Sequence, residues 1–120
     1  MLPFVSVIIP AYNRASIIKE SILSVCSQNY PNYEIIVIDD GSSDNLIDII
    51  KTLNSAKISY YRLSKNKGQS YARNVGVSLA SGSIVAFQDS DDIWTSNRMY
   101  NQVQLMYGYD FSFGRFMRGG

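Results

Sequence analysis

Short apolar runs alternate along the chain with amphipathic segments and polar turns. Nearly continuous β-branched runs, a pattern typical of strands covered on both faces, occupy residues 5–9, 34–38 and 83–88. Residues 58–63 alternate and are rich in aromatic side chains, which predicts a strand at the edge of a sheet. A further strand is predicted at residues 109–113. We expect Pro10 to end the first strand.

Four segments between these runs have the period of amphipathic helices. They span residues 16–27, 44–53, 69–80 and a last segment after residue 96. Ser43 or Asp44 is the predicted N-cap of the second helix, and Ser96 that of the last one. Gly82 is the predicted C-terminal cap of the third helix. The residues predicted to face the core are Ile18, Ile22, Val25, Cys26, Leu46, Ile47, Ile50, Leu53, Ala72, Val75, Gly76, Leu79, Met99, Val103 and Met106.

The alternation of strands and helices predicts the α/β class. We expect an open, mostly parallel sheet with helices on both faces, which gives three α/β/α layers. Ligands of such sheets bind outside the carboxyl ends of the strands. Polar clusters follow three predicted strands, at residues 10–13, 39–40 and 89–91. We therefore expect these clusters to converge on one site.

The composition narrows the chemistry that this site can perform. The 120 residues, of which 46% are hydrophobic and 18% charged, fit one globular domain. A net charge of +1 argues against nucleic acid as a partner. Histidine is absent and Cys26 is the single cysteine, which excludes histidine bases, an internal disulfide and a zinc site, and fits a reducing compartment. Carboxylates, oxygen-bound metals, Lys, Arg and Tyr remain.

Three carboxylates lie within four residues directly after the fourth predicted strand, at Asp89, Asp91 and Asp92. Like charges this close repel one another, and burial increases the cost. A divalent cation such as Mn(II) or Mg(II) would neutralise them, and such ions often take substrate phosphates as their remaining ligands. A solvated turn that starts the next helix accounts for the acids equally well, so these residues alone leave both interpretations open.

Other candidate residues follow the first two strands and precede the third helix. Tyr12 offers a ring for contact with a base, although a half-buried loop tyrosine is the commoner case. Asp40 is placed to accept hydrogen bonds from a base or a ribose. For one of the two acids Asp39 and Asp40, we instead expect a structural role, in which the carboxylate accepts hydrogen bonds from the backbone amides of the turn that follows. The backbone amides of residues 66–68 and the side chain of Arg73 could face an anion. The alternative is an ordinary basic loop in which Arg73 forms a structural ion pair.

Four blocks of the sequence resemble the family 2 glycosyltransferases, in the family's order and spacing. They are VSVIIPAYN at residues 5–13, SQNYPNYEIIVIDDGSSD at 27–44, NKGQSYARNVG at 66–76 and FQDSDD at 87–92. Each block alone is modest evidence, whereas the four together are highly specific. The resemblance implies a Rossmann-like GT-A fold that binds a nucleotide-diphosphate sugar, usually UDP-linked. It implies an inverting, metal-dependent transferase of polysaccharide biosynthesis at the cell envelope.

The resemblance also implies roles for individual residues. Those that match nucleotide-binding positions are Pro10, Ala11, Tyr12, Asn13, Asp40, Asn66, Gly68, Arg73, Asp89 and Ser90. The segment Asp89-Ser90-Asp91 matches the DxD motif, in which Asp91 binds Mn(II) or Mg(II) and Asp89 lies near the ribose, the donor sugar or the metal. Asp92, Asp39 and Lys67 are further candidates.

The catalytic base is the main departure from the family. Its members extend well beyond residue 120, and their second half supplies the acceptor surface and the carboxylate that deprotonates the acceptor hydroxyl. No acid in this chain matches that base. We therefore expect residues 1–120 to be the nucleotide-sugar-binding half of a GT-A domain, a fragment that binds donor without turnover. Ser96 also stands where the family usually has a proline.

The same resemblance implies the partners. The donor is a nucleotide sugar, and the acceptor is a sugar or a lipid-linked glycan. The full-length enzyme is expected in the cytoplasm, in peripheral contact with the inner face of the cell membrane. Apolar surface exposed on a truncated chain would favour self-association.

Two other classes of protein share parts of this pattern. A receiver-type signalling module needs an acid pair after the first strand, an aspartate after the third and a lysine after the fifth. The first strand here is followed by Pro10 and the third by Leu63 and Ser64, and no lysine accompanies the fifth. A sugar nucleotidyltransferase needs a glycine-rich basic loop after its first strand, and residues 10–14 are not glycine-rich.

Overall fold

Strands and helices alternate along residues 2–108 and 116–118, which are the residues that this computed structural model describes. The elements are β1 (Val5–Ala11), α1 (Ile18–Cys26), β2 (Tyr33–Asp39), α2 (Leu46–Leu53), β3 (Ile58–Arg62), α3 (Gln69–Leu79), β4 (Ile84–Phe87), α4 (Arg98–Gly108) and β5 (Phe116–Arg118). The predicted α/β class is confirmed. The strand predicted at residues 109–113 lies outside the described residues.

The strands form one sheet in the order β3-β2-β1-β4-β5. All neighbouring pairs are parallel except β4 and β5, which are antiparallel. Among the described strands, β3 lies at an edge, as predicted, and the whole of β1 is buried. The order of strands reverses between β1 and β4, because the chain moves outward through β2 and β3 before it returns. Such a reversal opens a crevice at the carboxyl ends of the two strands.

The helices cover both faces of the sheet, which confirms the three layers. Val7 and Ile9 of β1 pack in the cluster that contains the buried residues of α1, α2 and α4. Ile8 points the other way and packs with Ala72 of α3. A Cβ atom on Gly76 would lie 2.4 Å from a methyl group of Ile8, so α3 lies directly on β1.

Pro10 does not end β1, contrary to the prediction. The N–H that proline lacks would point toward β4, so its absence does not affect the pairing of β1 with β2. The N–H of Gln88 donates to the carbonyl of Ile8 at 3.0 Å, so even-numbered residues of β1 face β4. The carbonyl of Ala11 accepts the N–H of Asp40 at 2.8 Å on the opposite side. Pro10 therefore stops only the pairing with β4, whose last partner in β1 is Ile8. The end of β1 projects beyond β4 and forms one wall of the crevice.

Gly82 does not cap α3, contrary to the prediction. The helix ends at Leu79, and Ala80 follows it in an extended conformation with φ −70°. Gly82 instead lies against β1, where its N–H donates to Ser6 Oγ at 2.8 Å and an added Cβ would lie 2.6 Å from the carbonyl oxygen of Phe4. Close approach of backbone to backbone is what this glycine provides.

The helix boundaries and apolar faces depart from the prediction in smaller ways. Helix α1 begins at Ile18 rather than at residue 16, and the N-cap of α2 is Asn45 rather than Ser43 or Asp44. Ile47 and Leu79 are each 38% exposed, because these helices bury narrow stripes. Met99, Val103 and Met106 are buried, as predicted. The amide of Met99 donates to Gln28 Oε1 at 3.0 Å rather than to Ser96.

Candidate functional site

A cleft of about 260 Å³ opens at the carboxyl ends of β1, β2 and β4. It is lined by Pro10, Ala11, Tyr12, Arg14, Asp40, Asn66, Gly68, Gln69 and Ser90. The three polar clusters predicted to converge each contribute to this lining, together with the loop that precedes α3. The crevice at the reversal of strand order is therefore the candidate site.

Asp40 fixes the loop before α3 to the end of β2. One carboxylate oxygen accepts the N–H of Lys67 at 2.7 Å, and the other accepts the N–H of Gly68 at 2.9 Å and Asn66 Nδ2 at 3.1 Å. Asp40 is only 3% exposed. Gly68 has φ +98°, a conformation that glycine adopts readily and that turns the chain into α3. One buried carboxylate thus holds three consecutive residues at the cleft.

Asp39 lies below the cleft rather than in it, and its partners are structural. One of its oxygens accepts the N–H of Ser42 at 2.8 Å, as predicted for one of the two acids. The other accepts the hydroxyl of Tyr60 and lies 3.4 Å from Arg62 Nη1. Burial, together with the hydrogen bond to Asp39, raises the pKa of Tyr60 to about 12. These contacts join β2 to the edge strand β3.

Asn13 connects the loop after β1 to the loop after β2. Its N–H donates to Ser42 Oγ at 2.9 Å, and its Oδ1 accepts the N–H of Ser43 at 2.8 Å. Its φ of +54° is left-handed, a conformation that asparagine tolerates better than most residues. Asn13 does not line the cleft, but its neighbours Tyr12 and Arg14 do.

Arg73 and Asp89 form an ion pair between α3 and the end of β4. Arg73 Nη2 lies 3.2 Å from Asp89 Oδ1, which also accepts Gln69 Nε2 at 3.1 Å. The guanidinium carbon lies 5.8 Å from the ring centroid of Phe87. The structural alternative considered for Arg73 is therefore the arrangement that the structure shows. Neither Arg73 nor Asp89 lines the cleft, whereas Gln69, which donates to Asp89, does.

The acidic turn after β4 divides its carboxylates between different environments. Asp92 Oδ1 accepts the N–H of Ile93 at 3.0 Å. Asp91 is exposed and makes no hydrogen bond or ion pair with any described residue. Within residues 2–108 and 116–118, no three acidic, histidine or cysteine side chains are grouped so that they could hold a metal ion by themselves. Mn(II) and Mg(II) are often held by one or two carboxylates plus substrate phosphates, so the oxygen donors present fit such an ion with a diphosphate.

Three further residues differ from their predicted relation to the cleft. Lys67, a candidate anion ligand, has its Nζ 5.1 Å from the ring centroid of Tyr71, and it does not line the cleft. Arg14 and Gln69 do line it, although neither was predicted as a site residue. The signal for Arg14 was available, because it is a cation four residues after Pro10 at a strand end. Gln69 sits in the first turn of α3, at the end that faces the site.

Comparison with known proteins fits this geometry. The profile of Glycosyl transferase family 2 matches residues 6–120. The chain belongs to this family. Its resemblance to the family, first evident in four sequence blocks, is thereby confirmed, and the receiver-module and nucleotidyltransferase alternatives are set aside.

Among the relatives of this family member is the Escherichia coli UDP-Glc:alpha-D-GlcNAc-diphosphoundecaprenol beta-1,3-glucosyltransferase WfgD. The two are 40% identical over 109 residues, which are 91% of this chain and 43% of WfgD. The solved structure of S. aureus TarS 1–349 in complex with UDP-GlcNAc superposes with a TM-score of 0.82 at 30% identity, over 89% of this chain and 32% of TarS 1–349. The fold is thus that of the GT-A glycosyltransferases.

A third similar protein is the mannosyltransferase PcManGT of Pyrobaculum calidifontis, solved in complex with GDP-Man and Mn²⁺. Its TM-score is 0.76 at 27% identity, over 83% of this chain and 31% of PcManGT. The family member described here spans less than half the length of the curated relatives that it matches. Among the residues that the structure describes, no helix combines the length and apolarity needed to cross a bilayer.

Proposed function

We propose that residues 1–120 bind a nucleotide-diphosphate sugar, UDP-linked, in the cleft at the ends of β1, β2 and β4. They would form the donor-binding half of an inverting glycosyltransferase that moves the sugar to an acceptor hydroxyl. The observation that carries this proposal is the meeting of Tyr12, Asp40 and Ser90, from three separate strand ends, around one cleft. The complexes of TarS with UDP-GlcNAc and of PcManGT with GDP-Man support the ligand class.

The wall formed by Pro10, Ala11 and Tyr12 suits the nucleobase and ribose. Tyr12 is 46% exposed, so its ring offers a free face for stacking or edge contact. A carboxylate has about four acceptor positions, and Asp40 uses three of them on residues 66–68. The fourth is left for an N–H of the base or a hydroxyl of the ribose. The single N–H of a uracil edge would fit this one remaining position.

The diphosphate would lie toward the acidic turn and Arg14. Arg14 is the guanidinium among the lining residues and would contact phosphate oxygens. Asp91, with Asp89, would hold a Mn(II) or Mg(II) ion next to the diphosphate. Such an ion would supply positive charge against the negative charge of the leaving diphosphate. The ion pair with Arg73 and the bond from Gln69 keep the Asp89 carboxylate at the end of β4.

We propose that the acceptor and the catalytic base are held by residues outside 1–120, because the chain spans only 43% of WfgD. An inverting displacement needs a base on the face of the sugar opposite the leaving group, and we expect that carboxylate beyond residue 120. WfgD is named for a lipid-diphosphate acceptor, so we propose a lipid-linked glycan acceptor here as well. Such an acceptor would place the whole enzyme in the cytoplasm, against the inner face of the cell membrane, in cell-envelope polysaccharide synthesis.

Isothermal calorimetry with UDP, in the presence and absence of Mn(II), tests the proposal. The chain should bind UDP more tightly with Mn(II), and Asp91→Ala should remove this gain. The matched control is Asp48→Ala, which deletes an exposed acid of α2 that does not line the cleft. Tighter binding of GDP than of UDP would refute the uridine assignment. Absence of heat with either nucleotide, or an equal Mn(II) gain after Asp91→Ala, would refute the proposal itself.

A further inference from the structure

Helix α1 carries a polar stripe that faces the segment after β4. Ser21 and Ser24 lie three residues apart on one face of α1, and Gln28, two residues beyond the end of the helix, continues this polar stripe. Ser21 is 1% exposed and Gln28 is 9% exposed. Polar side chains buried this deeply need hydrogen-bond partners. Their partners in the segment after β4 are backbone groups and the side chain of Gln88, whose Nε2 donates to Ser24 Oγ at 3.3 Å.

The acidic residues of that segment form a hydrogen-bonded turn. The N–H of Asp92 donates to the carbonyl of Asp89 at 3.1 Å, which places Ser90 and Asp91 at the two central positions. Ser90 lines the cleft and Asp91 is exposed beside it. The direction of the Asp91 carboxylate therefore depends on how this turn is held.

Ser21 holds the turn at its far end. Its hydroxyl donates to the carbonyl of Asp92, and the carbonyl of Asp89 lies 3.4 Å from the same oxygen. A hydroxyl has one proton, so the closer contact with Asp92 is the hydrogen bond and the other is a weaker alternative. One buried atom of α1 thus touches both ends of the turn that carries Asp91.

Gln88 and the rest of the stripe reinforce this attachment. Gln88 Nε2 donates to the carbonyl of Asp92 at 3.0 Å and to that of Ser21 at 3.2 Å. Ser24 Oγ accepts the N–H of Trp94 at 3.0 Å. Gln28 Nε2 donates to the carbonyl of Thr95 at 2.5 Å. The segment after β4 has no regular structure before α4, and these side chains supply the donors and acceptors that a strand or helix would otherwise supply.

We propose that Ser21 is a positioning residue for the metal-bound diphosphate. Its hydroxyl fixes the turn at residues 89–92 so that Asp91 presents its carboxylate to the metal at the edge of the cleft. This inference rests on the proposed function. The new element is a buried residue of α1 that contacts neither the nucleotide nor the metal. It affects metal affinity through the backbone of residues 89–92, which it holds in place.

We expect Ser21→Ala to lower metal affinity by as much as the loss of a supporting hydrogen bond does at other metal sites. Such losses lower metal affinity by about 10- to 100-fold. Because Gln88 still binds the carbonyl of Asp92, we expect Ser21→Ala to be at the lower end, about 10-fold. Binding of uridine, which has no phosphate and needs no metal, should not change. Alanine is also a better helix former than serine, so α1 itself is not weakened by propensity.

Two affinities are measured. Mn(II) electron paramagnetic resonance gives the affinity of the UDP complex for Mn(II), and NMR titration gives the affinity of the metal-free chain for uridine. The variants are Ser21→Ala, Asp91→Ala and the matched control Ser27→Ala. Ser27 is the exposed C-cap residue of the same helix and also donates its hydroxyl to a backbone carbonyl, that of Leu23 at 2.8 Å. Hydrogen exchange of the Asp92 amide in the metal-free chain reports on the turn itself.

The inference predicts three results. Ser21→Ala weakens Mn(II) binding about 10-fold, leaves uridine affinity unchanged and speeds exchange of the Asp92 amide, whereas Ser27→Ala does none of these. Equal losses of Mn(II) and uridine affinity would show a general structural role and overturn the inference. So would unchanged Mn(II) affinity in Ser21→Ala when Asp91→Ala abolishes it. If Asp91→Ala leaves Mn(II) affinity unchanged, the proposed function fails instead.

Discussion

Asp40→Asn removes one charge from the centre of the candidate site and changes no side-chain volume. In the native protein both carboxylate oxygens accept hydrogen bonds, one from Lys67 and two from Gly68 and Asn66. Asparagine has one acceptor oxygen and one NH2 group. If the oxygen faces Gly68 and Asn66, the NH2 faces the N–H of Lys67, and two donors oppose each other. The reverse orientation leaves two donors unmatched.

The magnitude follows from these three bonds. A hydrogen bond to a charged group is worth about 1.5–3 kcal/mol, against about 0.5–1.5 kcal/mol for a neutral pair. Two weakened bonds cost about 1 kcal/mol each, and the unmatched amide costs about 1 kcal/mol more. We therefore expect Asp40→Asn to lower the free energy of unfolding by about 3 kcal/mol. Asp48→Asn, which removes the same charge at an exposed site of α2, should cost at most about 0.5 kcal/mol.

Urea unfolding of both variants measures the loss, with an unchanged m-value as the check that both unfold as the native protein does. Native-state hydrogen exchange gives the local result, since the amides of Lys67 and Gly68 should lose protection only in Asp40→Asn. Equal stability of Asp40→Asn and Asp48→Asn, with both amides still protected, would refute the claim that Asp40 holds this loop.

Three further predictions concern the frame around the site. Gly41→Ala should lower the free energy of unfolding by about 1–3 kcal/mol in urea unfolding, because Gly41 has φ +75° and a Cβ there would lie 2.6 Å from the backbone N of Asn66; an unchanged midpoint would contradict this. Gly76→Ala should cost about 1–3 kcal/mol by overpacking, since its Cβ would lie 2.4 Å from Ile8 Cγ2, and Ile8→Ala in the same chain should relieve part of that cost. The raised pKa of Tyr60, about 12 against an ordinary 10.0, means that folding favours its neutral phenol. Stability gained this way is complete below pH 10 and declines as pH rises from 10 toward 12. Tyr60→Phe should reduce the decline measured by thermal unfolding across this range, and the part that remains includes Tyr33, whose pKa burial also raises to about 12.

Much of the architecture could be predicted from the sequence, because the strong patterns act locally. Runs of β-branched residues gave β1, β2 and β4, and the rule that ligands bind at the carboxyl ends of parallel strands indicated where the cleft is. The position of Tyr12, Asp40 and Ser90 around it required only the order of elements. These parts of the site depend on topology rather than on individual side-chain contacts.

The rest depends on pairings between distant residues. From the sequence, Gly82 was predicted to cap α3. Its actual contact with Phe4 and Ser6 arises only when β1 and β4 lie side by side. Asp40 was expected to face a ligand, and three of its acceptor positions instead go to a loop 26–28 residues away. Helical periodicity left Ser24 out of the face predicted to meet the core, since it treats polar residues as solvent-exposed. Periodicity therefore cannot predict that a stripe of polar side chains is buried against the backbone of another segment.

We propose that one cleft, built from three strand ends, binds the nucleotide. This can be measured by titrating the isotopically labelled chain with UDP and Mg(II) and following the amide NMR shifts. The largest shifts should occur together at Tyr12, Asp40, Gly68 and Ser90, with one common dissociation constant. Shifts confined to another face of the molecule, or different constants at these four residues, would contradict it.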